Sequence, residues 1–310
     1  MPIGMSTHLG ANDLRESLLS IMKDVSPVES NYLVSNLPKG PVATNTYQEW
    51  NTFYQARPTT VAPVAEGAVT SYVDLVAESR TGNYTTIVER PVKVTRSMAS
   101  VATVTGEDEV SKQKERALRN LKSDMEWYTI NGLGPTAGLS GIARSFAGID
   151  QCISTNVSAF ASGQSFTETI LNDMVQRSWD QVEDEYVGNV LLAPVVIKRR
   201  VAGFGTNLTR NVQAADKRLT QEVRVYDSEV GPTVMILAHK DVRSAAGTLT
   251  AYLINDTCFA HSFLVETGEP HWEDRAKDGD YTVGTYLSEM TLVSYAQRAS
   301  VKVSGFNTGL

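Results

Sequence analysis

From Thr44 to about Arg90 the chain is polar, Thr-rich and without helical periodicity, and this stretch constrains the fold more than any other. Thr44, Thr46, Thr52, Thr59 and Thr60 alternate with β-forming aromatics at Tyr47, Trp50, Phe53, Tyr54, Tyr72 and Tyr84. The return half alternates at Tyr84, Thr86, Val88, Val92 and Val94, which is strand chemistry. Pro58, Pro63, Gly67 and Gly82 break the middle. The pattern predicts a two-stranded excursion whose arms of roughly 15 to 18 residues each reach about 50 to 60 Å. A ribbon that long has no core of its own and is marginal in water. It needs a partner surface.

A long amphipathic helix follows, predicted over 106–131. Thr105 with Asp108 has capping-box spacing, and Glu107, Asp108 and Glu109 suit the positive end of the helix dipole. Val110, Ala117, Leu118, Leu121, Met125 and Tyr128 fall on one face, and Asn131-Gly132 closes the helix. Before the excursion, Asn12 to Lys23 reads as a short helix with Leu14, Leu18, Leu19 and Met22 on one stripe. No neighbouring segment covers that stripe, which implies docking elsewhere, on this chain or on another subunit.

After the helix come Gly132, Gly134, Gly138 and Gly141, then a mixed α+β half. Ser165-x-x-Glu168 is spaced to open a helix running to about Val182. Val190 to Ala193 reads as a buried strand, and Pro194 begins another helix that Gly203 and Gly205 end. Further strands are expected at Glu222–Tyr226, Thr233–Ala238, Leu249–Asn255 and Phe259–Val265, with Val301 and Val303 alternating near the end.

The 310 residues are 42% hydrophobic and 20% charged with a net charge of −7, ordinary for a globular chain and unlike a nucleic-acid-wrapping one. Cys152 and Cys258 have no CxxC spacing and read as buried thiols. Residues 1–12 lack the charged and apolar regions of a signal peptide, and no window approaches the roughly 18 apolar residues of a membrane helix.

No phosphate-binding loop, zinc-protease, nucleophile-elbow or dinucleotide-binding motif is present. The histidines, His8, His239, His261 and His271, lack ligand spacing, and His239 and His261 read as half-buried strand residues. Asp278-Gly279-Asp280 reads as a solvated turn and Glu183-Asp184-Glu185 as a wet helix end. The basic run Lys198, Arg199, Arg200, Arg210, Lys217, Arg218 and Arg224 reads as inter-subunit pairing with acidic stretches 168–185 and 266–280, with nucleic-acid contact as the alternative.

Five strings then occur in order: Ala43-Thr44-Asn45-Thr46-Tyr47-Gln48-Glu49-Trp50, Val64-Ala65-Glu66-Gly67-Ala68, Asn83-Tyr84-Thr85-Thr86-Ile87, a charged helix from Lys114 to Glu126, and Gly138-Leu139-Ser140-Gly141-Ile142. In sequence and element order the chain resembles the major capsid proteins of tailed bacteriophages. The resemblance implies the Hong Kong 97-type α+β capsid fold: an N-terminal arm (1–40), an extended β-hairpin loop (41–92), and a peripheral domain (93–145) carrying the spine helix. An axial domain (146–285) and a C-terminal return to the peripheral domain (286–310) complete it.

The resemblance further implies a structural, non-enzymatic subunit that self-assembles into pentamers and hexamers of a head enclosing double-stranded DNA. It would be made and assembled in the host cytoplasm and reside in the virion, with no cofactor, metal or membrane. Scaffolding, portal and cement proteins are possible separate partners. The expected inter-subunit contacts are Leu14, Leu18, Tyr47, Trp50, Phe53, Glu66, Tyr72, Tyr84, Arg199, Arg200, Lys217 and Arg218. Capsomers would close around a tip near 203–217. Some capsids of this fold crosslink through a lysine on the extended loop, whereas Thr44 to Arg90 contains none. Non-covalent stabilisation, or a separate cement protein, is the expectation. An encapsulin-type compartment shares the fold, and an unassigned α+β enzyme is the remaining alternative.

Overall fold

The computed structural model describes residues 31–54, 60–69, 77–101, 108–182, 184–204, 224–228, 233–242, 248–265 and 268–308. Elements are numbered along the chain. A short helix α1 (Tyr32–Asn36) leads into the hairpin strands β1 (Tyr47–Thr52) and β2 (Ser79–Tyr84). β3 (Thr86–Thr95) carries the line of β2 onward, followed by α2 (Arg96–Ser100) and the long α3 (Glu109–Asn131). β4 (Leu133–Thr136) and β5 (Ser145–Ala147) form a small antiparallel hairpin before α4 (Ile149–Cys152).

A mixed six-stranded sheet contains β6 (Val157–Gln164), β7 (Val190–Ala193), β8 (Val225–Asp227), β9 (Thr233–Ala238), β10 (Thr248–Ile254) and β14 (Val301–Asn307), in the order β6-β14-β10-β7-β9-β8. Helices α5 (Glu168–Trp179) and α6 (Val195–Ala202) supply Leu171, Met174, Ile197 and Val201 to one of its cores. Leu191 and Leu253 point into that core, while Leu192, Tyr252 and Ile254 join a second core with Leu121, Met125 and Phe146. A strand side chain switches face at every residue, so β7, covered on both faces, is an unbroken apolar run.

The second sheet is organised by β13 (Tyr281–Ser294), a 14-residue strand. One edge pairs with β3 from Tyr281↔Thr95 to Met290↔Thr86. The other edge takes β12 (His271–Asp274) and β11 (Phe259–Phe263) end to end. Residues 38–43 lie alongside β11, with Gly40 N donating to His261 O at 2.8 Å and Ala43 N to Phe263 O at 2.9 Å.

Helix α3 starts later than its sequence suggests. Asp108 itself is the N-cap, accepting from Ser111 N at 3.0 Å; Thr105 lies outside the described residues. Its 23 residues span about 34 Å. Ala117, Leu121, Met125 and Ile130 form the buried stripe, and the exposed flank carries the Arg119–Glu115 pair at 2.7 Å. Gly132 ends the helix for want of room: an added Cβ would stand 2.5 Å from both Phe146 O and Gly148 N.

Other expectations are corrected similarly. Thr167, not Ser165, caps α5 through Ile170 N, because Phe166 is committed to packing against Phe306 at 5.1 Å. Among the described residues the hairpin pairs six residues on each arm, and the continuation expected for arms of roughly 15 to 18 residues falls largely on residues outside them. Strand pairing links segments distant in sequence. β11 and β12 join the β3 sheet, whereas β14 inserts between β6 and β10, with Val301, Val303 and Phe306 in the α5–α6 core. His239 and His261 are fully buried, at 2% and 3% exposure, rather than half-buried. The expected helix at 12–23 lies outside the described residues.

Candidate subunit interface

The β1–β2 hairpin pairs Tyr47↔Tyr84 and Trp50↔Thr81. The Tyr47 and Tyr84 rings pack with centroids 4.5 Å apart. Gly82 lies under this pair, and a Cβ there would meet Tyr47 Cζ at 2.6 Å and Gln48 O at 2.9 Å. Arg80 pairs with Glu49 at 2.8 Å and Asn51 donates to Glu78 at 3.0 Å across the strands.

The root of the hairpin is clamped by successive residues. Asn83 is 1% exposed; its Nδ2 donates to Ala147 O (3.1 Å) and Leu292 O (2.9 Å), and its Oδ1 accepts from Ala147 N (2.8 Å). Thr85 donates to Glu289 Oε1 at 2.6 Å, where Arg144 also binds at 2.7 Å, and Thr86 Oγ1 accepts from Phe146 N at 2.9 Å. The polar string Asn83-Tyr84-Thr85-Thr86 is therefore the joint between the loop, the β4–β5 hairpin and β13.

Beyond the hairpin, residues 60–69 are exposed throughout, with Val61, Val64 and Val69 at 80% or more and the single acid Glu66 at a turn. Phe53 is half-exposed, Tyr47 at the edge of exposure, and Trp50 and Tyr84 partly covered. A second exposed apolar set, Leu133, Leu139 and Ile142, sits on the β4–β5 hairpin and its connection. On α6, Arg199 is exposed and Arg200 half-buried. Leu14, Leu18, Tyr72, Lys217, Arg218 and most of the expected tip near 203–217 lie outside the described residues. The structure thus brings Tyr47, Trp50 and Tyr84 together on one hairpin, with Glu66 in its loop, and leaves the α6 pair elsewhere.

Sequence reasoning missed the anchor of α1. Glu126, on the buried side of α3, accepts from Leu33 N at 2.8 Å, Val34 N at 2.7 Å and His239 Nε2 at 2.8 Å. A helix of five residues with no side-chain cap of its own is thereby capped from across the fold. One turn on, Thr129 Oγ1 donates to Met125 O and lies 3.0 Å from His261 Nε2. Burial pushes the His261 imidazole down to about 4, against the opposing charge of Glu126. The only legible signal was position: residue 126 adjoins Met125 on the apolar stripe.

The remaining titratable groups are structural in character. Cys152 and Cys258 are free, and burial pushes their thiols up to about 12 and about 11, the opposite of an activated nucleophile. Among the described residues no group of His, Cys, Asp or Glu could hold a metal, and no helix is long and apolar enough to cross a membrane.

The profile of the SU10 major capsid protein family matches residues 2–307. The chain belongs to this family. It is a shell-forming structural subunit of a phage capsid and not an enzyme. Its fold is that of Hong Kong 97-type capsid proteins. The capsid protein of cyanophage A-1(L) superposes with a TM-score of 0.67 at 15% identity, covering 96% of this chain and 99% of that one. The capsid of Myoviridae phage XM1 gives 0.61 at 13% identity over 98% and 99%. The SrpI encapsulin of Synechococcus elongatus PCC 7942 gives 0.62 at 13% identity over 99% and 98%. Among curated protein sequences none matches significantly.

Proposed function

We propose that this capsid protein builds pentamers and hexamers of a head enclosing double-stranded DNA, with the hairpin loop as its principal inter-subunit contact. The observation that carries this is the loop itself. An apolar run at 60–69, exposed on every residue, is held on a root fixed by buried hydrogen bonds. A rigid base beneath an uncovered apolar end suits docking on a neighbour. Tyr47, Trp50, Phe53, Glu66, Tyr72 and Tyr84 are the contacts on this loop, Leu14 and Leu18 those of the arm, and Arg199, Arg200, Lys217 and Arg218 a basic face towards another subunit. The β3–β13 sheet with α3 forms the peripheral part and the six-stranded sheet the axial part. Assembly takes place in the host cytoplasm, with scaffolding, portal and cement functions on separate chains.

The test is to express the chain alone and examine it by negative-stain microscopy and light scattering. Rings of five or six, tubes or shells are the expected products. A compact monomer at high concentration would overturn the proposal. Nucleic acid content, read by absorbance in particles from infected cells, separates a genome container from a compartment loaded with cargo enzymes.

A further inference from the structure

Beneath the root of the β1–β2 hairpin lies a cavity of about 440 Å³, lined by Trp50, Tyr54, Cys152, Ser154, Ser294 and Arg298 among others. Among the described residues its lining contains no carboxylate, and Arg298 is the one charged side chain. Trp50 Nε1, Tyr54 Oη, Ser294 Oγ and Arg298 Nε are buried without a hydrogen-bond partner among the described residues. The indole and guanidinium nitrogens only donate, and both hydroxyls can. A buried donor left unpaired is unfavourable. The Arg298 guanidinium is held 4.4 Å over the Tyr54 ring, so its charge stays at the cavity. What this lining lacks, among the described residues, is negative charge.

The loop has the opposite deficiency. Within the exposed run 60–69, Glu66 is the only charged residue. Glu66 stands between Val64 and Val69 in this run, and a carboxylate buried there without a partner is strongly unfavourable. A surface that covers it must offer donors and positive charge. None of residues 60–69 lines the cavity of its own chain.

We infer that the Glu66 carboxylate of one copy enters the cavity beneath the hairpin of a neighbouring copy, pairing with Arg298 and accepting from Trp50, Tyr54 or Ser294. Each copy then offers a carboxylate at one end of the loop and a receptor at the other. The contact is heterologous, so it closes rings or extends across a shell without needing a two-fold axis. Burying the pair fixes which part of the loop meets which part of the neighbour, the register that an apolar run of valines and alanines does not fix alone. This inference rests on the shell-forming reading above.

The experiment uses the full chain. In a Cys152→Ser background, which removes the cavity's own thiol, a Glu66→Cys, Ser154→Cys double variant, assembled and mildly oxidised, should give a ladder of linked chains on a non-reducing denaturing gel, and neither single variant should. Ser154 is an exposed member of the cavity lining, so the substitution leaves the buried groups in place. Intact shells that yield only single chains, or a link confined within one chain, would overturn the inference while leaving the shell reading standing. Failure of the unmodified chain to assemble would instead sink the shell reading. In parallel, Glu66→Arg should raise the subunit concentration needed for assembly about tenfold or more, and adding Arg298→Glu should bring it back to within about threefold. A folded double variant that assembles no better than Glu66→Arg alone would also overturn it.

Discussion

Glu126 and His239 meet at 2.8 Å, Oε1 to Nε2, with neither side chain exposed to solvent. Asp241 N donates to the other ring nitrogen of His239 at 3.2 Å, which assigns the imidazole proton to Nε2 and makes Glu126 the acceptor. The same carboxylate caps α1, so one group joins the N-terminal helix, the spine and the end of β9. Glu126→Ala leaves two backbone N–H groups and an imidazole unpaired in the interior. It should destabilise the subunit by roughly 3–5 kcal/mol in chemical denaturation, with Glu126→Gln less harmful because an amide still accepts. An alanine variant within about 1 kcal/mol of the parent would refute the anchoring role.

His261 makes stability depend on pH in the mildly acidic range. Burial lowers its folded value from 6.5 to about 4, so below 6.5 the unfolded chain binds the extra proton and the folded chain resists it. Its contribution is therefore complete above 6.5, falls as the pH drops from 6.5 towards about 4, and levels off below that. The loss through this one group is about 3 kcal/mol. Denaturation midpoints taken across that window should show the slope, and His261→Gln, which can still donate to Thr129, should flatten it. An unchanged slope in the variant would assign the pH dependence elsewhere.

Asn83 offers an isosteric test of the hairpin joint. Asn83→Asp replaces a donor to Ala147 O and Leu292 O with an acceptor facing two carbonyls. The variant should lose about 3 kcal/mol or more and show faster proteolysis in the loop, whereas Gly82→Ala should disturb the Tyr47–Tyr84 packing with a smaller loss. Equal stability of Asn83→Asp and the parent would remove the joint from the account.

Much of this layout could be read directly, and the exceptions have physical causes. β7, β9, α6 and the spine were legible because their signals are local: apolar runs, a proline at a helix start and a 3.6-residue stripe. Helix starts slipped at Thr105 and Ser165 because capping spacing ignores tertiary packing, as Phe166 shows against Phe306. The place of β14 was not legible because pairing is non-local: nothing in Val301–Asn307 says that it lies between β6 and β10. Glu126 escaped notice because a lone acid on a charged helix looks solvated until its partners, more than 90 residues away, are in place.

The loop from Thr44 to Arg90 carries no lysine that could condense with a neighbour. Mature heads dissolved in strong denaturant and reductant should run as a single species at the mass of one chain. A ladder of covalent multimers under those conditions would contradict this and call for a crosslink from outside the loop.

The pairing of β3 with β13 also bears on timing. Thr86 waits for Met290 and Asn83 for Leu292, so the joint beneath the loop forms only after β13 has been made. Contacts this distant in sequence close slowly and late in folding. The exposed run 60–69 therefore stands above an unset base until β13 has folded against β3.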